Sequence, residues 1–459
     1  LGAVINMQAG VVAGHFRGGR RDEVSYMIDG VPVNDAFDGV SAVSNLEVEA
    51  VKDLEVITGT FNAEYGNAMS GIVNAVTKDG SNEFHGSFNS GFSTYITENQ
   101  RNGEEVFIGL DPFGINSNSD LKVSLSGPVI KDRLYFFTNF RTQDVSGHLN
   151  GVRRFEVWNL SNFYDQDSSK WFSENTGDSS YVPMNKGQYS SFMGKLSYNL
   201  GNIKLALMLN VNNSVSRGYN HIYKYNPDGR SYGDGTTTLT MFQLNHFLNE
   251  KMFYDVKYSI TDNDYGSYVF ENYDGYEVLT EDGIHQGVYH FAGDTVYNYV
   301  SDKYMTAYGT GFFTGGQDKG HLNRITKTYN FKSDFTWQVT NAHSIKTGFS
   351  FISHELENID HTIRNAFAGT SLEADQYKPI VLPDSTVYSD VYSVKPKERS
   401  FYIQDKFEKD EIVINLGLRY DAFDANTTYP SQRRNPVNAS TYYLTVSYTH
   451  LTLPTNREV

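Results

Sequence analysis

From about residue 83 onward the chain alternates. In "NIKLALMLNVNN", Ile203, Leu205, Leu207, Leu209 and Val211 fall on one side, with Lys204, Ala206, Met208, Asn210 and Asn212 on the other. "EIVINLGLRYD" sets Ile412, Ile414, Leu416, Leu418 and Tyr420 against Asn415, Gly417, Arg419 and Asp421. "ITKTYNFKSDFTWQ" sets Ile325, Tyr329, Phe331, Phe335 and Trp337 against Thr326, Thr328, Asn330, Lys332 and Asp334. Side chains of a strand point to opposite faces in turn, so the pattern predicts strands with one face on an apolar phase and one on water. Strands are expected near 83–94, 118–128, 133–145, 188–199, 202–213, 236–248, 252–266, 323–338, 342–354, 397–408 and 411–424.

The connections alternate as well. Every second one is a tight turn: "VIKDR" (129–133), "LGN" (200–202), "LNEK" (248–251), "TNAH" (340–343) and "EKDE" (408–411). The others are long, near 95–117, 146–187, 214–235, 267–322 and 356–396. Loops beyond about 12–15 residues are uncommon in compact soluble domains. Strands of roughly 10–14 residues are long enough for a tilted membrane crossing, whereas soluble strands centre on about 5–6. Short turns at one rim and long loops at the other are the arrangement of outer-membrane barrels. Aromatic residues cluster at strand ends, as in "RLYFFTNF" (133–140), "KMFYDVKY" (251–258) and "FTWQ" (335–338), where an interfacial girdle would sit.

Residues 1–82 are patterned differently. "HFRGGR" (15–20) and "VSYMIDGVPV" (24–33) are expected as short strands joined by a charged turn. "VSNLEVEAVKDLEVITG" is expected as a short helix running into a strand, and "SGIVNAVTKDG" as a strand ending in an Asp-Gly turn. The unit is a small α/β domain.

Composition narrows the chemistry. The 459 residues carry 38 Lys+Arg against 54 Asp+Glu, a net charge of −16, which argues against nonspecific nucleic-acid binding. There is no cysteine, hence no thiol catalysis, Cys-based metal site or disulfide frame. Mean hydropathy is −0.47, and no apolar run approaches the ~18 residues of a membrane helix, although barrel strands look polar on average. No G-x-S-x-G, H-E-x-x-H or phosphate-binding loop is present, and the 12 His are scattered, so no enzyme is expected. "NPDGRSYGDG" and "TDNDYGS" lack the EF-hand spacing and terminal Glu and are read as turns, so no metal or other cofactor is assigned.

Four ordered motifs carry a family resemblance. Phe16-Arg17-Gly18, Ile28-Asp29-Gly30-Val31-Pro32, Leu54-Glu55-Val56-Ile57-Thr58-Gly59, and Glu64-Tyr65-Gly66 followed by Ser70-Gly71-Ile72-Val73-Asn74 resemble the plug domain of TonB-dependent outer-membrane receptors. The wording of "FNAEYGNAMSGIVN" is most similar to the Bacteroidetes-like branch, which often adds an N-terminal carboxypeptidase-regulatory-like module not seen here. "SGPVIKDRLYFF" (126–137) resembles the family's first periplasmic hairpin. Family barrels are of the plugged kind with about 22 strands. The resemblance therefore implies a plug at 1–82 and the N-terminal half of an antiparallel transmembrane barrel, about 11 of those strands, at 83–445. Residues 446–459 resemble a read-through tail and are expected to be non-native. A TonB box and the later strands are not found, so a fragment is expected.

The resemblance further implies a multi-pass outer-membrane protein with its plug in the lumen. It implies energy-coupled uptake of a scarce nutrient and coupling to a TonB-type inner-membrane complex. Outer-membrane lipid surrounds such a barrel, a surface lipoprotein partner stays open, and the ligand is a small molecule, glycan or peptide. Ligand contacts are expected from the plug tip (Asn34, Asp35, Phe37, Asp38) and from aromatic loop residues Trp158, Tyr164, Trp171, Tyr219, Tyr223 and Tyr225. The motif residues Arg17, Gly18, Asp29, Gly30, Pro32, Gly59, Tyr65, Gly66, Gly71 and Asn74 are expected to shape the plug. Arg17, Arg20 and Arg21, with Asp22 and Glu23, are expected to pair with inward charges such as Lys122, Lys204, Asp334, Arg419 or Asp421. Two other readings remain at this point: a passive outer-membrane porin or adhesin, and a soluble secreted β-rich carbohydrate-binding protein.

Overall fold

The computed structural model describes residues 2–37, 46–59, 61–95, 100–110, 118–272, 289–290, 296–306, 311–373, 376–430, 441–443 and 447–452. The N-terminal unit holds four strands, β1 (Val24–Ile28), β2 (Val31–Pro32), β3 (Val51–Ile57) and β4 (Gly71–Thr77). They form one sheet in the order β2-β1-β4-β3, with β1 and β4 parallel and the outer pairs antiparallel. The short helix expected ahead of β3 is, among the described residues, only a three-residue 3-10 turn, Val48–Ala50, which runs directly into the strand. Helix among the described residues of this unit is otherwise one short stretch, Gly2–Ile5, and the turn Arg21–Glu23. The strand expected at 15–20 stops early. Only His15–Phe16 pairs, with Val11–Val12, because Arg17 and Gly18 take positive φ (47° and 82°) and turn the chain away.

The second unit is one long antiparallel sheet. Its strands are β5 (His85–Ser93), β6 (Asn118–Ile130), β7 (Leu134–Val145), β8 (Gly187–Leu200), β9 (Ile203–Ser216), β10 (Tyr232–Asn249), β11 (Met252–Tyr268), β12 (Gly320–Gln338), β13 (His343–Thr362), β14 (Ser389–Val394), β15 (Lys397–Lys409), β16 (Ile412–Asp424) and β17 (Ser447–Thr452). Each pairs with its sequence neighbour, except that β13 takes both β14 and β15 on one side. All eleven expected strands are present, joined at one rim by the expected tight turns. Several run further toward the long-loop rim. β13 continues to Thr362 through "HELENIDHT", where each face carries a single apolar residue among polar ones, so pairing continues after the alternation has ended. β14 and β17 were not expected as strands.

The distribution of side chains is inverted relative to a soluble core. Leu207 is 50% exposed and Leu416 62%, while Met208, beside Leu207 on the opposite face, is 1% exposed. Asn139, Asn210, Asn212, Gln243, Asn330 and Asp334 are buried on the inner face. Apolar out and polar in is the requirement of a barrel in lipid, where backbone groups must be satisfied within the sheet. Rim aromatics follow: the Phe247 and Phe253 rings pack at a tilt, 5.6 Å apart, beside the turn at 250–251. No helix among the described residues is long and apolar enough to cross a membrane.

Candidate functional site

The first unit sits against the polar face of the sheet, and the motif "IDG" is where the two are clasped. Ile28 pairs with Val31, leaving Asp29 and Gly30 as a two-residue hairpin turn. Both have positive φ, 49° and 77°, the type I′ geometry that matches strand twist and that Gly adopts without strain. The turn brings the Asp29 carboxylate under four donors: Thr77 N (2.8 Å), Thr77 Oγ1 (2.6 Å), Gln243 Nε2 (2.9 Å) and Lys195 Nζ (3.3 Å). Gly30 N donates to Asn74 Oδ1 (2.9 Å), and Lys332 Nζ donates to Gly30 O (3.2 Å). Burial pushes the Asp29 carboxyl up, but Lys195, Thr77 and Gln243 outweigh it and hold it below its ordinary value.

Asp79 extends the clasp. It meets Lys195 (3.1 Å), Ser197 Oγ (2.8 Å) and Lys204. Burial raises its carboxyl, yet Lys195 and Lys204 hold it down to about 2. Around the rest of the boundary Arg141 binds Glu47 (3.2 Å) and Asp120 (2.8 Å), Lys122 binds Glu49 (3.4 Å), and Lys346 binds Glu64. Arg419 donates to Ala63 O (3.3 Å) and Glu64 O (3.2 Å). It lies so close to Gly66 that a Cβ there would stand 2.3 Å from Nη2 and the guanidinium would have to move off the Ala63 and Glu64 carbonyls.

The charge pairing expected from the sequence runs through other plug residues. Lys122, Lys204 and Arg419 do reach the plug, but they meet carboxylates or carbonyls rather than the "RGGRRDE" segment. Arg20 pairs with Glu23 (3.2 Å) and Arg21 donates to Ala13 O (2.9 Å), so those cations are satisfied locally. Asp334 pairs with Lys332 (3.4 Å) and Asp421 with Arg419 (2.8 Å), within the wall. All six ion pairs that cross the boundary among the described residues take the carboxylate from the plug and the cation from the wall.

The remaining motif residues are structural neighbours of this clasp. A Cβ on Gly59 (φ 115°) would stand 3.2 Å from Arg17 Nη1, and Gly71 opens β4 against the Phe16 ring. Asn74 Nδ2 also reaches Glu55 (3.3 Å). Burial, with Glu64, Glu55 and Asp334 nearby, pushes the Tyr65 phenol up.

Above the clasp, Pro32 leads into the plug tip and a cavity of about 490 Å³ between the tip and the wall. Asn34, Asp35 and Phe37 border it. Asn34 is partly committed to the plug, accepting from Tyr26 N (2.8 Å) and donating to Val24 O (2.8 Å). Asp35 accepts from Phe37 N (2.8 Å) and from Asn263 Nδ2 (2.8 Å) of the wall. Asp38 lies outside the described residues. The facing wall is a panel set by strand register. Asn212, Thr237, Asn263 and Thr326 lie opposite one another across β9, β10, β11 and β12. Ser214, Gly235, Tyr265 and Arg324 form the next row toward the long-loop rim. With strands about 4.8 Å apart, the panel is roughly 14 Å wide. Only the alternation pointed to these wall residues; their rows follow from register, which the sequence does not state.

None of the six loop aromatics borders this cavity. Trp158 packs on the Val157–Val300 cluster, and Tyr223 and Tyr225 stand edge-on to Phe313 and Phe312 (4.9 Å each). Tyr219 bonds His221 (2.7 Å), Trp171 donates to Asp165 O (2.8 Å), and Tyr164 is exposed. A second cavity, of about 520 Å³, lies on the β12–β16 side of the plug, among Glu64, Asn67, His354, Glu398 and Arg419.

A small domain clasped inside a sheet that is apolar outside and polar inside defines a plugged outer-membrane β-barrel. Residues 158–452 match the outer membrane beta barrel domain family and residues 7–72 the TonB-dependent receptor plug domain family. The chain belongs to the TonB-dependent receptor family. It is 37% identical over 127 residues to the TonB-dependent transporter Oar of Myxococcus xanthus, which covers 27% of this chain and 12% of that protein. The outer membrane transporter YddB from Escherichia coli shares its fold with TM-score 0.55 at 13% identity, covering 89% of this chain and 50% of that one. The unliganded ferric citrate transporter FecA does so with TM-score 0.54 at 10% identity, covering 94% and 50%. The chain thus spans about half the length of these solved structures. The soluble sandwich reading is set aside by the exposed apolar strand faces together with the family matches.

Proposed function

We propose that this chain binds and gates the uptake of a small polar nutrient across the outer membrane, driven by a TonB-type inner-membrane complex. The observation that carries the reading is the polar cavity over a plug that is held by ion pairs and hydrogen bonds rather than by covalent links. Such contacts yield one after another when the plug is pulled, whereas a passive porin needs no clasped plug at all. Asn34, Asp35 and Phe37 then contribute the floor of the ligand site and the β9–β12 panel its wall, while the loop aromatics hold the outer loops in shape.

The test compares cells carrying the receptor gene with a deletion strain, measuring which polar solutes disappear from a dilute medium. The expected result is at least one solute depleted only by receptor-bearing cells and only while they are energised. Depletion that continues with an uncoupler would mark a passive pore, and identical depletion in both strains would remove the uptake reading.

A further inference from the structure

Arg324 differs from the wall cations described so far. Those meet carboxylates: Lys122, Arg141, Lys195, Lys204 and Lys346 across the boundary, Lys332 and Arg419 within the wall. Arg324 meets none among the described residues. Its Nε donates to Asn358 Oδ1 (3.0 Å), its guanidinium lies 5.3 Å from the centre of the Phe37 ring, and neither Nη has a protein acceptor there. Asp35 of the plug tip is engaged by Phe37 N and Asn263 instead. Arg324 borders the cavity at one corner of the panel. At the other side stands Asn212, also on the cavity wall, 4% exposed, with a buried Nδ2 that has no acceptor. Two unmet donors, one charged, thus bracket a surface of hydroxyls and amides.

We propose that the ligand of this receptor is a hydroxyl-rich molecule carrying a single carboxylate, an acidic sugar in chemical terms. The carboxylate sits on Arg324 and the hydroxyls run along Thr237, Asn263 and Thr326 toward Asn212. The inference rests on the uptake reading and names the ligand class of that same cavity. A guanidinium presents a planar fork that matches a carboxylate with two parallel hydrogen bonds, and such a pair is stronger than the same cation over a ring. The ligand therefore takes the guanidinium from Phe37. Among the described lining residues Arg324 is the one cation and Asp35, held by neutral donors, the one anion, so a ligand carboxylate finds its place only on Arg324, and the rest of the panel supplies neutral donors and acceptors. Hydroxyl groups satisfy these in pairs, and an apolar ligand would strand them.

The test is direct binding to the receptor in outer-membrane vesicles, using three matched probes. They are a glucuronate-terminated disaccharide, the neutral disaccharide of the same linkage, and the same disaccharide with a phosphate in place of the carboxylate. In the wild type the acidic sugar should bind at least tenfold more tightly than the neutral one. R324Q should erase that preference while leaving the neutral affinity within twofold, and R324K should restore part of it. Equal binding of acidic and neutral sugars, a parallel loss for both in R324Q, or tighter binding of the phosphate each overturns the proposal. So does the absence of binding by all three at millimolar concentration. Because the depletion test identifies no ligand in advance, energised uptake that persists alongside such a result removes the ligand class and leaves the uptake reading intact.

Discussion

The boundary beneath the plug tip and the cavity above it are built from the same strands to opposite rules. Below, charges are paired across the boundary: Lys195 serves both Asp29 and Asp79, and Arg141 serves Glu47 and Asp120. Above, the row from Asn212 to Thr326 is neutral, and Arg324 in the next row meets no carboxylate among the described residues. A buried, paired charge fixes one geometry, because losing either partner strands the other away from water. A surface of hydroxyls and amides tolerates exchange, because water or a ligand can replace each contact at little net change. The lower zone is built to hold, and the upper zone is built for the exchange that the proposed uptake requires.

The sharpest way to break that contrast is Asp29→Ala. It removes four hydrogen bonds and leaves Lys195, 6% exposed, with Asp79 as its remaining carboxylate. Plug docking should weaken by about 3 kcal/mol. Proteolysis of the undocked plug should then rise roughly a hundredfold under conditions where opening is fast. A rise below tenfold would show that the clasp is not at Asp29.

Acid should reach the same zone next. The Asp79 carboxyl is held at about 2 in the docked plug against an ordinary 3.8, so its contribution is complete above about 4 and lost as pH falls toward 2. A shift of that size is worth roughly 2 kcal/mol, with Asp29 adding in the same direction. Tracking plug protection from protease between pH 5 and pH 2 should show the loss, and Asp79→Asn should flatten it. A profile unchanged by that substitution would assign the acid sensitivity elsewhere.

A smaller effect is expected from Gly30→Ala. The residue keeps φ at 77°, where a side chain is strained, so docking should weaken by about 1 kcal/mol with no change in ligand preference. The least disruptive change tests the upper zone. Thr237→Val deletes the hydroxyl that donates to Asn263 Oδ1 (2.8 Å). It should lower ligand affinity about fivefold while leaving protease protection unaltered, since one hydrogen bond is worth about 1 kcal/mol. If Thr237→Val loosens the plug instead, the two zones are not separate.

How much of this was legible beforehand follows the same division. The strands at 202–213 or 411–424 could be read because membrane and lumen impose opposite chemistry on alternate residues. The outer extension of β13 could not, since Glu355, Glu357 and Asp360 put charges on both faces once the strand has left the lipid. The motif residues around Asp29 could be recognised as a plug, but not what they hold. The meeting of Asp29 with Lys195 and Gln243 depends on how the wall curves around the plug, a relation across more than 160 positions that no local pattern contains. Reading "RGGRRDE" as the interlocking segment failed for a local reason: Glu23 lies within reach of Arg20, and a short-range pair forms before a distant one is needed. Which loop aromatics pack inward could not be read beforehand, since Tyr223 lies almost wholly inside a loop core while Tyr164 is exposed.

The uniform sense of the six boundary pairs also works as a compatibility rule. A plug borrowed from another receptor would seat in this wall only if it offered carboxylates where Glu47, Glu64 and Asp79 now stand. One that offered lysines there would be rejected by repulsion, however well its outline matched. Chimeric uptake channels built on this wall could therefore be screened on paper, by charge sign at a few positions, before any gene is joined.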